Sequence, residues 1–466
     1  RIYQYNGTSW SQLGTDIDGE AAFDNSGSSV SINAAGDRVA IGAAGNNGNG
    51  NRSGHARIYE YNGTSWLQLG TDIDGEAAND NSGSSVSINA AGDRVAIGAR
   101  GNVGNGTSAG HVRIYQYNLG SWSQLGTDID GEAAFDNSGS SVSINAAGDR
   151  VAIGAAGNNG NGNRSGHARI YEYNGTSWLQ LGTDIDGEAA NDNSGSSVSI
   201  NAAGDRVAIG ARGNVGNGTS AGHVRIYQYN LGSWSQLGTD IDGDSLGDFS
   251  GNSVSINAAG DRVAIGANGN DGNGTSAGHV RVYSYNGTAW TQVGQDIDGE
   301  ASGDYSGNSV SINAAGDKVA IGANGNDGNG TSAGHVRVYS YNGTAWTQVG
   351  QDIDGEALGD QSGHKVSINA AGDRVAIGAY GNDGNGTNAG HVKIYEYSGT
   401  SWTQVSTDID GVAAGDESGI SVSLNAAGDR VAIGAASNTN LGGSKAGHVR
   451  LYSTPSPACA LPLSIE

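Results

Sequence analysis

The residues best suited to chemistry in this sequence are carboxylates set two apart around a glycine. Asp16-Ile-Asp18-Gly-Glu20 recurs as Asp72/Asp74/Glu76 and as Asp128/Asp130/Glu132. It returns as Asp184/Asp186/Glu188, Asp240/Asp242/Asp244, Asp296/Asp298/Glu300 and Asp352/Asp354/Glu356, while an eighth copy keeps Asp408 and Asp410 but carries Val412. A further aspartate follows each copy, beginning with Asp24, Asp80 and Asp136. Hard cations take several oxygen ligands around a sharp turn, so each cluster is a candidate Ca2+ site. It is not an EF-hand loop, because the third aspartate and the closing glutamate of that loop are missing. The same carboxylates also suit a purely local role, accepting backbone N–H bonds in a connection as Asx turns do. Both readings stand at this level.

Two other sets of polar residues repeat. Loops rich in Asn and Gly run from Gly45 to Gly50 and, later, from Gly269 to Gly274. Asn270, Asp271 and Asn273, with Asp327 and Asp383 in the following copies, form a candidate binding rim for a glycan or a protein. Their plain reading is that Asn and Gly tolerate positive φ in long turns. Histidine occurs once per repeat, at His55, His111, His167, His223, His279, His335, His391 and His448. Zinc needs its ligands about 2 Å from one ion, so imidazoles a whole repeat apart read as strand-end hydrogen-bonding groups instead. His364, beside Lys365, lies outside the pattern and reads as incidental. Catalysis requires an asymmetric set of nucleophile, base and orienting group. Nearly every polar residue here is repeated, so the chain reads as no enzyme.

What positions these groups is the repeat itself. Tryptophan marks a period of 56 residues, at Trp10, Trp66, Trp122, Trp178, Trp234, Trp290, Trp346 and Trp402. Within one period the pattern spells four short strands: Ser28–Asn33, Arg38–Ala43, His55–Tyr61 and Ser65–Leu69. Ala34-Ala-Gly-Asp37 makes the first turn, and Asn62-Gly63 signals a type I′ hairpin between the third and fourth strands. Four antiparallel strands per 40–60 residues, roughly, describe a propeller blade. A single unit of this size buries too little surface to fold alone, whereas stacked blades cover both faces of each sheet. The expectation is an all-β propeller of eight four-stranded blades spanning residues 1–453, with seven blades and a leftover repeat as the alternative. The last blade lacks its own fourth strand, and Trp10–Leu13 can supply it, closing the ring with both ends of the chain.

Composition agrees with an all-β fold full of turns: of 466 residues 82 are Gly, 36% are hydrophobic and only 15% are charged. A net charge of −24 repels nucleic acid and anionic membrane surfaces. No apolar run is long enough to span a bilayer, so direct membrane insertion is not expected. With one cysteine, Cys459, the repeats are held by packing rather than internal disulfides. The chain starts inside a repeat at Arg1 and contains no Met, which reads as a processed or truncated product.

The unit Ser26-Gly-Ser-Ser-Val-Ser-Ile-Asn33, Asp37-Arg-Val-Ala-Ile-Gly-Ala43 and Gly54-His-Ala-Arg-Ile-Tyr59 resembles the FG-GAP repeat of integrin-α-type propellers. Ser-Gly stands where that family has Phe-Gly, and its usual Asp-x-Asp-x-Asp-Gly calcium turn is here Asn33-Ala-Ala-Gly-Asp37. The resemblance implies an extracellular adhesion or ligand-binding propeller with a protein or glycan partner at the cell surface. Residues 454–466 hold a Pro-containing tail, similar to the segment before the sorting domain of type IX secreted surface proteins of Bacteroidetes. The reading is therefore a multivalent, non-catalytic binding module. A structural spacer of a surface appendage, built from further copies of itself or within a larger parent chain, is the alternative, and a glycan-active enzyme the remote one.

Overall fold

The computed structural model describes residues 11–405 and 407–453. These form eight sheets around a common axis, an eight-bladed β-propeller with no helix among the described residues. In blade 1 the strands run outward as Ser26–Ile32, Arg38–Ala43, His55–Tyr61 and Trp66–Gln68. A fifth, two-residue strand, Ile73–Asp74, pairs back onto the start of the third, with His55 opposite Asp74 and Ala56 opposite Ile73. The outer strand is thus broken in two, and the acidic motif is part of the sheet rather than only the connection leaving it.

The innermost strand of a blade has an unpaired edge, and its N–H groups need acceptors. The Ser-x-Ser alternation of the repeat supplies them from the neighbouring blade. Ile88 N–H donates to Ser31 Oγ at 3.2 Å, and the same contact returns at each junction until Ile32 N–H meets Ser423 Oγ at 3.3 Å. A second ring runs through the first turns, where Ala34 N–H donates to Ala90 O, and Ala426 N–H donates to Ala34 O at 3.3 Å. Such a ring closes on itself only with eight blades.

Apolar residues lie in layers between blades. Ala40, Ala56, Ile58, Leu69 and Ile73 of blade 1 face Val86, Ile88, Val95 and Ile97 of blade 2, with Tyr115, Tyr117 and Trp122 at the outer end. Burying each of the larger aliphatic side chains stabilises the fold by about 1.5–3 kcal/mol. Gly42 shows how closely blades approach: a Cβ there would lie 2.0 Å from Gly83 O.

Closure uses both ends of the chain. Ser11–Gln12 pairs with His448–Ser453, and Ile17–Asp18 pairs with the start of that same strand. Residues 1–10, Trp10 among them, and the tail at 454–466 lie outside the described residues. One expectation needs correcting. The Asn62-Gly63 loop is not a type I′ turn, because only Gly63 has positive φ. Asn62 Oδ1 instead accepts from Thr64 N, Thr64 Oγ1 and Ser65 N, a four-residue loop organised by its own side chain. The two-residue turn with both φ positive occurs in blades 2 and 4, at Leu119-Gly120 and Leu231-Gly232.

Candidate functional site

Antiparallel order sends the Asn/Gly loops and the acidic connections to one face and the two tight turns to the other. In blade 5 a single cleft joins both candidate sets: Asn270, Asp271, Gly272 and Asn273 line it with Asp244, His279, Asp296 and Asp298. The turn that replaces the family's calcium loop sits on the opposite face. There Asn33 Nδ2 donates to Asp37 Oδ1 at 2.7 Å and Arg38 N–H to Asn33 Oδ1 at 2.9 Å.

The acidic motif divides into four structural roles. Asp24, Asp80 and Asp136 are buried, and each Oδ2 accepts two backbone N–H groups, for Asp136 those of Glu132 and Ala133 at 2.9 Å. Asn158 Nδ2 adds a third donor to Asp136 at 3.2 Å. These aspartates hold the connection between blades. Asp136→Ala orphans three donors, so it is expected to cost about 2 kcal/mol or more, read as a shift in urea midpoint with unchanged m-value. A shift within error would mean the connection is organised without this carboxylate.

Asp16, Asp72 and Asp128 are half-buried, each accepting from a glutamine of its own repeat; Gln68 Nε2 reaches Asp72 Oδ1 at 2.6 Å. Asp18, Asp74 and Asp130 end the short fifth strand. Glu20, Glu76 and Glu132 project from the next connection toward the following blade, where Glu76 lies 3.8 Å from Arg113 and Glu132 3.8 Å from Arg169. Burial first, and neighbouring aspartates second, raise the carboxyl pKa values of Asp74, Glu76 and Asp130.

The group that sequence reasoning set aside stands at the centre. Each strand-opening histidine is buried among these carboxylates, His111 with Glu76 and Asp128, His55 with Glu20 and Asp72. Neither ring nitrogen of His55, His111, His167, His223 or His335 has a hydrogen-bond partner. Burial, reinforced by the arginine two residues on, lowers His111 to a pKa of about 4, so the imidazole is neutral at pH 7. The sequence signalled only that the histidine opens the third strand; the two-residue strand that sets the Asp-Ile-Asp motif beside it leaves no periodicity to read.

On the rim, Asp271, Asp327 and Asp383 are exposed at loop tips, where each accepts a backbone N–H five residues on. Asn270 is buried, its Nδ2 on Asp248 and its Oδ1 accepting from Gly272 N, while Asn273 Nδ2 donates to Gly299 O at 2.8 Å. Exposed aromatic rings flank the buried aspartates. Phe23 and Phe135 are 58% and 61% exposed with φ of 70° and 71°. Phe249 and Tyr305, two positions later in the repeat, have φ of 56° and 55°. A bulky residue in this left-handed region is strained by about 1–3 kcal/mol. Phe23 also walls a groove with Asn25, Asn47, Asn51, Arg52 and Lys445.

Two more features complete the inventory. The axial channel is lined by first-strand serines and asparagines, and at one blade His364 and Lys365 replace the Ser-Ser or Asn-Ser pair of six others, the remaining blade carrying Ile420-Ser421. His364 stands edge-on to Tyr380 at 4.6 Å, and Tyr380 Oη donates to Gln361 Oε1, so these departures form one cluster. Water reaches Lys365 through the channel, yet the surrounding protein lowers the pKa of its ammonium. Gly106-Thr-Ser108-Ala-Gly110 matches the spacing of a hydrolase nucleophile elbow. It leads into the strand His111–Asn118 rather than a helix, which is not the strand–turn–helix setting of that motif.

The architecture defines the chain as a β-propeller, and superposition on one solved structure gives the same class. The crystal structure of Saccharomyces cerevisiae Sqt1 superposes with a TM-score of 0.55 at 13% identity, covering 96% of this chain and 100% of that one. Kuenenia stuttgartiensis hydrazine synthase has a TM-score of 0.48 at 11% identity, covering 87% of this chain and 99% of that one. At such identities the likeness is one of fold alone. No protein-family description and no curated protein matches the sequence.

Proposed function

We propose that the chain is a non-catalytic, multivalent binding module of the cell surface, which uses the face bearing the Asn/Gly loops to hold a glycan or protein ligand. The observation that carries this reading is the exposed, strained aromatic rim. Blades 5 to 8 place Gly247, Gly303, Gly359 and Gly415 where blades 1 and 3 place Phe23 and Phe135. Glycine meets the backbone requirement without strain, so phenylalanine there is retained against its own conformational cost. An exposed ring beside amide groups offers a stacking platform and hydrogen bonds together, the combination a sugar or an amphipathic protein surface can use. Repetition around the ring multiplies a weak contact into avidity. The resemblance to FG-GAP repeats and to type IX secreted tails supports the adhesive role and the surface location.

The test is a glycan array and a surface-displayed protein library, probed with the parent chain and with Phe23→Gly/Phe135→Gly. The double variant is expected to lose about tenfold or more in apparent affinity, since both platforms and their avidity go together. Its thermal midpoint is expected to stay level or rise, because two strained residues are relieved. Equal binding by parent and variant would remove the aromatic rim from the mechanism.

A further inference from the structure

The junction between blades 1 and 2 brings together groups from three separate pieces of chain. Glu76 comes from the connection entering blade 2, His111 opens its third strand, and Asp128 precedes its short fifth strand. One ligand atom from each lies within 4.8 Å of the other two. His111 is fully buried and neither of its ring nitrogens is hydrogen bonded. Its Nδ1 faces Glu76 Oε2 and Asp128 Oδ2 at 3.9 Å and Asp130 Oδ1 at 4.0 Å. Those distances are too long for hydrogen bonds, yet three oxygens converge on one buried nitrogen.

Leaving a buried imidazole unsatisfied is unfavourable, and so is crowding three carboxylates against it. One guanidinium, that of Arg113, stands at the cluster against three carboxylates, which leaves an excess of two negative charges. A single divalent cation between Nδ1 and the oxygens answers all of these at once. Tetrahedral ligands about 2.1 Å from one ion lie roughly 3.4 Å apart, so the partly exposed carboxylates need close on Nδ1 by about half an ångström, and on one another by at most about 1.4 Å.

We propose that each blade junction is a binding site for a divalent first-row transition ion, held by the strand-opening histidine and by carboxylates from both neighbouring connections. Imidazole among the donors selects Zn2+ and its neighbours over Ca2+, which takes an all-oxygen shell. The carboxylates that the sequence marked as calcium ligands thus serve a softer ion, while the Asp80 class remains committed to backbone N–H groups. Six junctions keep the glutamate; Asp244 is shorter and drawn to Arg281 at 2.8 Å, and Val412 removes that carboxylate from the eighth. The rim reading and this one are independent, since neither Phe23 nor Phe135 takes part.

The experiment is native mass spectrometry and calorimetric titration of the metal-stripped full chain with Zn2+, with Ca2+ in a parallel arm, and Co2+ as the spectroscopic probe. At least six Zn2+ per chain are expected, with visible d–d bands from Co2+ and little response to Ca2+. His111→Phe should lower the count by one, and so should Glu76→Gln, whose exposed side chain carries little risk to folding. His364→Phe, in the channel, should leave the count unchanged. Saturable Ca2+ binding without Zn2+ binding would overturn the proposal, as would a Zn2+ count that neither His111→Phe nor Glu76→Gln changes, or the absence of any stoichiometric ion.

Discussion

Lowering the pH from 7 to 5 in the presence of a chelator is expected to destabilise the propeller strongly. Six strand-opening histidines, His55, His111, His167, His223, His335 and His448, have pKa values lowered to about 4 by burial, and His279 and His391 are shifted the same way. In the unfolded chain an imidazole titrates near ~6.5. Between those values the unfolded state binds more protons than the folded state, so stability rises with pH. The contribution is complete above the unfolded value and is lost as pH falls toward the folded one. At pH 5 each histidine accounts for roughly 1–2 kcal/mol, and the repeat multiplies this.

Carboxylates work in the opposite sense. Asp74, Glu76, Asp130 and their equivalents are raised in the folded state, so they favour folding below their unfolded value and cease to as pH rises through the folded one. Protonation also relieves the self-repulsion of a chain with net charge −24. On the way down the carboxylate effect sets in at their raised folded values, against a histidine effect that starts near the free imidazole value of ~6.5. Calorimetry should show the thermal midpoint falling from pH 7 to 5 and flattening below. A midpoint independent of pH across that window would mean that the imidazoles have partners or water not evident from the packing.

Much of the fold was legible because the repeat over-determines it. Trp66 fixed the period, and the alternation in Arg38–Ala43 and His55–Tyr61 gave strands whose observed bounds are the same. The need for an outer strand at Arg450–Tyr452 pointed to the amino end of the chain, where Ser11–Gln12 supplies it. What stayed hidden depends on register. The fifth strand, Ile73–Asp74, is two residues long, too short for any periodicity to reveal. Without its pairing to His55 and Ala56, the histidine looked isolated and the carboxylates looked like a loop of their own. Asn62 misled for a related reason: its side chain can cap a four-residue loop as well as occupy a two-residue turn, and the backbone took the first course. The tight two-residue turn forms instead where Leu119-Gly120 stands at the corresponding place.

Removing residues 1–18 is expected to leave the ring open along its last blade. Ile17, 5% exposed, packs with Ile32, Val39, Ile41, Val449 and Leu451, and Leu13 lies against the same cluster. Leu13 N–H donates to Leu451 O at 2.8 Å and Gly19 N–H to Gly447 O at 2.7 Å. Loss of two aliphatic side chains and of the strand pairing amounts to about 5 kcal/mol or more. The strand His448–Ser453 would also become a bare edge, a template for pairing with another copy. A fall in thermal midpoint of roughly 5–10 °C is expected, together with concentration-dependent association by light scattering. Deletion alone cannot separate the missing strand from the missing residues, so a circular permutant is the decisive companion. A chain running 19–453, then an Asn-Gly-Thr-Ser hairpin, then 11–18 keeps every strand of blade 8 contiguous and moves the break to the connection before Gly19. The permutant should recover the parent midpoint and remain monomeric, because ring closure needs the strand in place and not the particular ends that deliver it. If the truncated chain instead melts with the parent and stays monomeric, the inter-blade layers and the ring of Ala34-type backbone bonds hold the propeller closed by themselves.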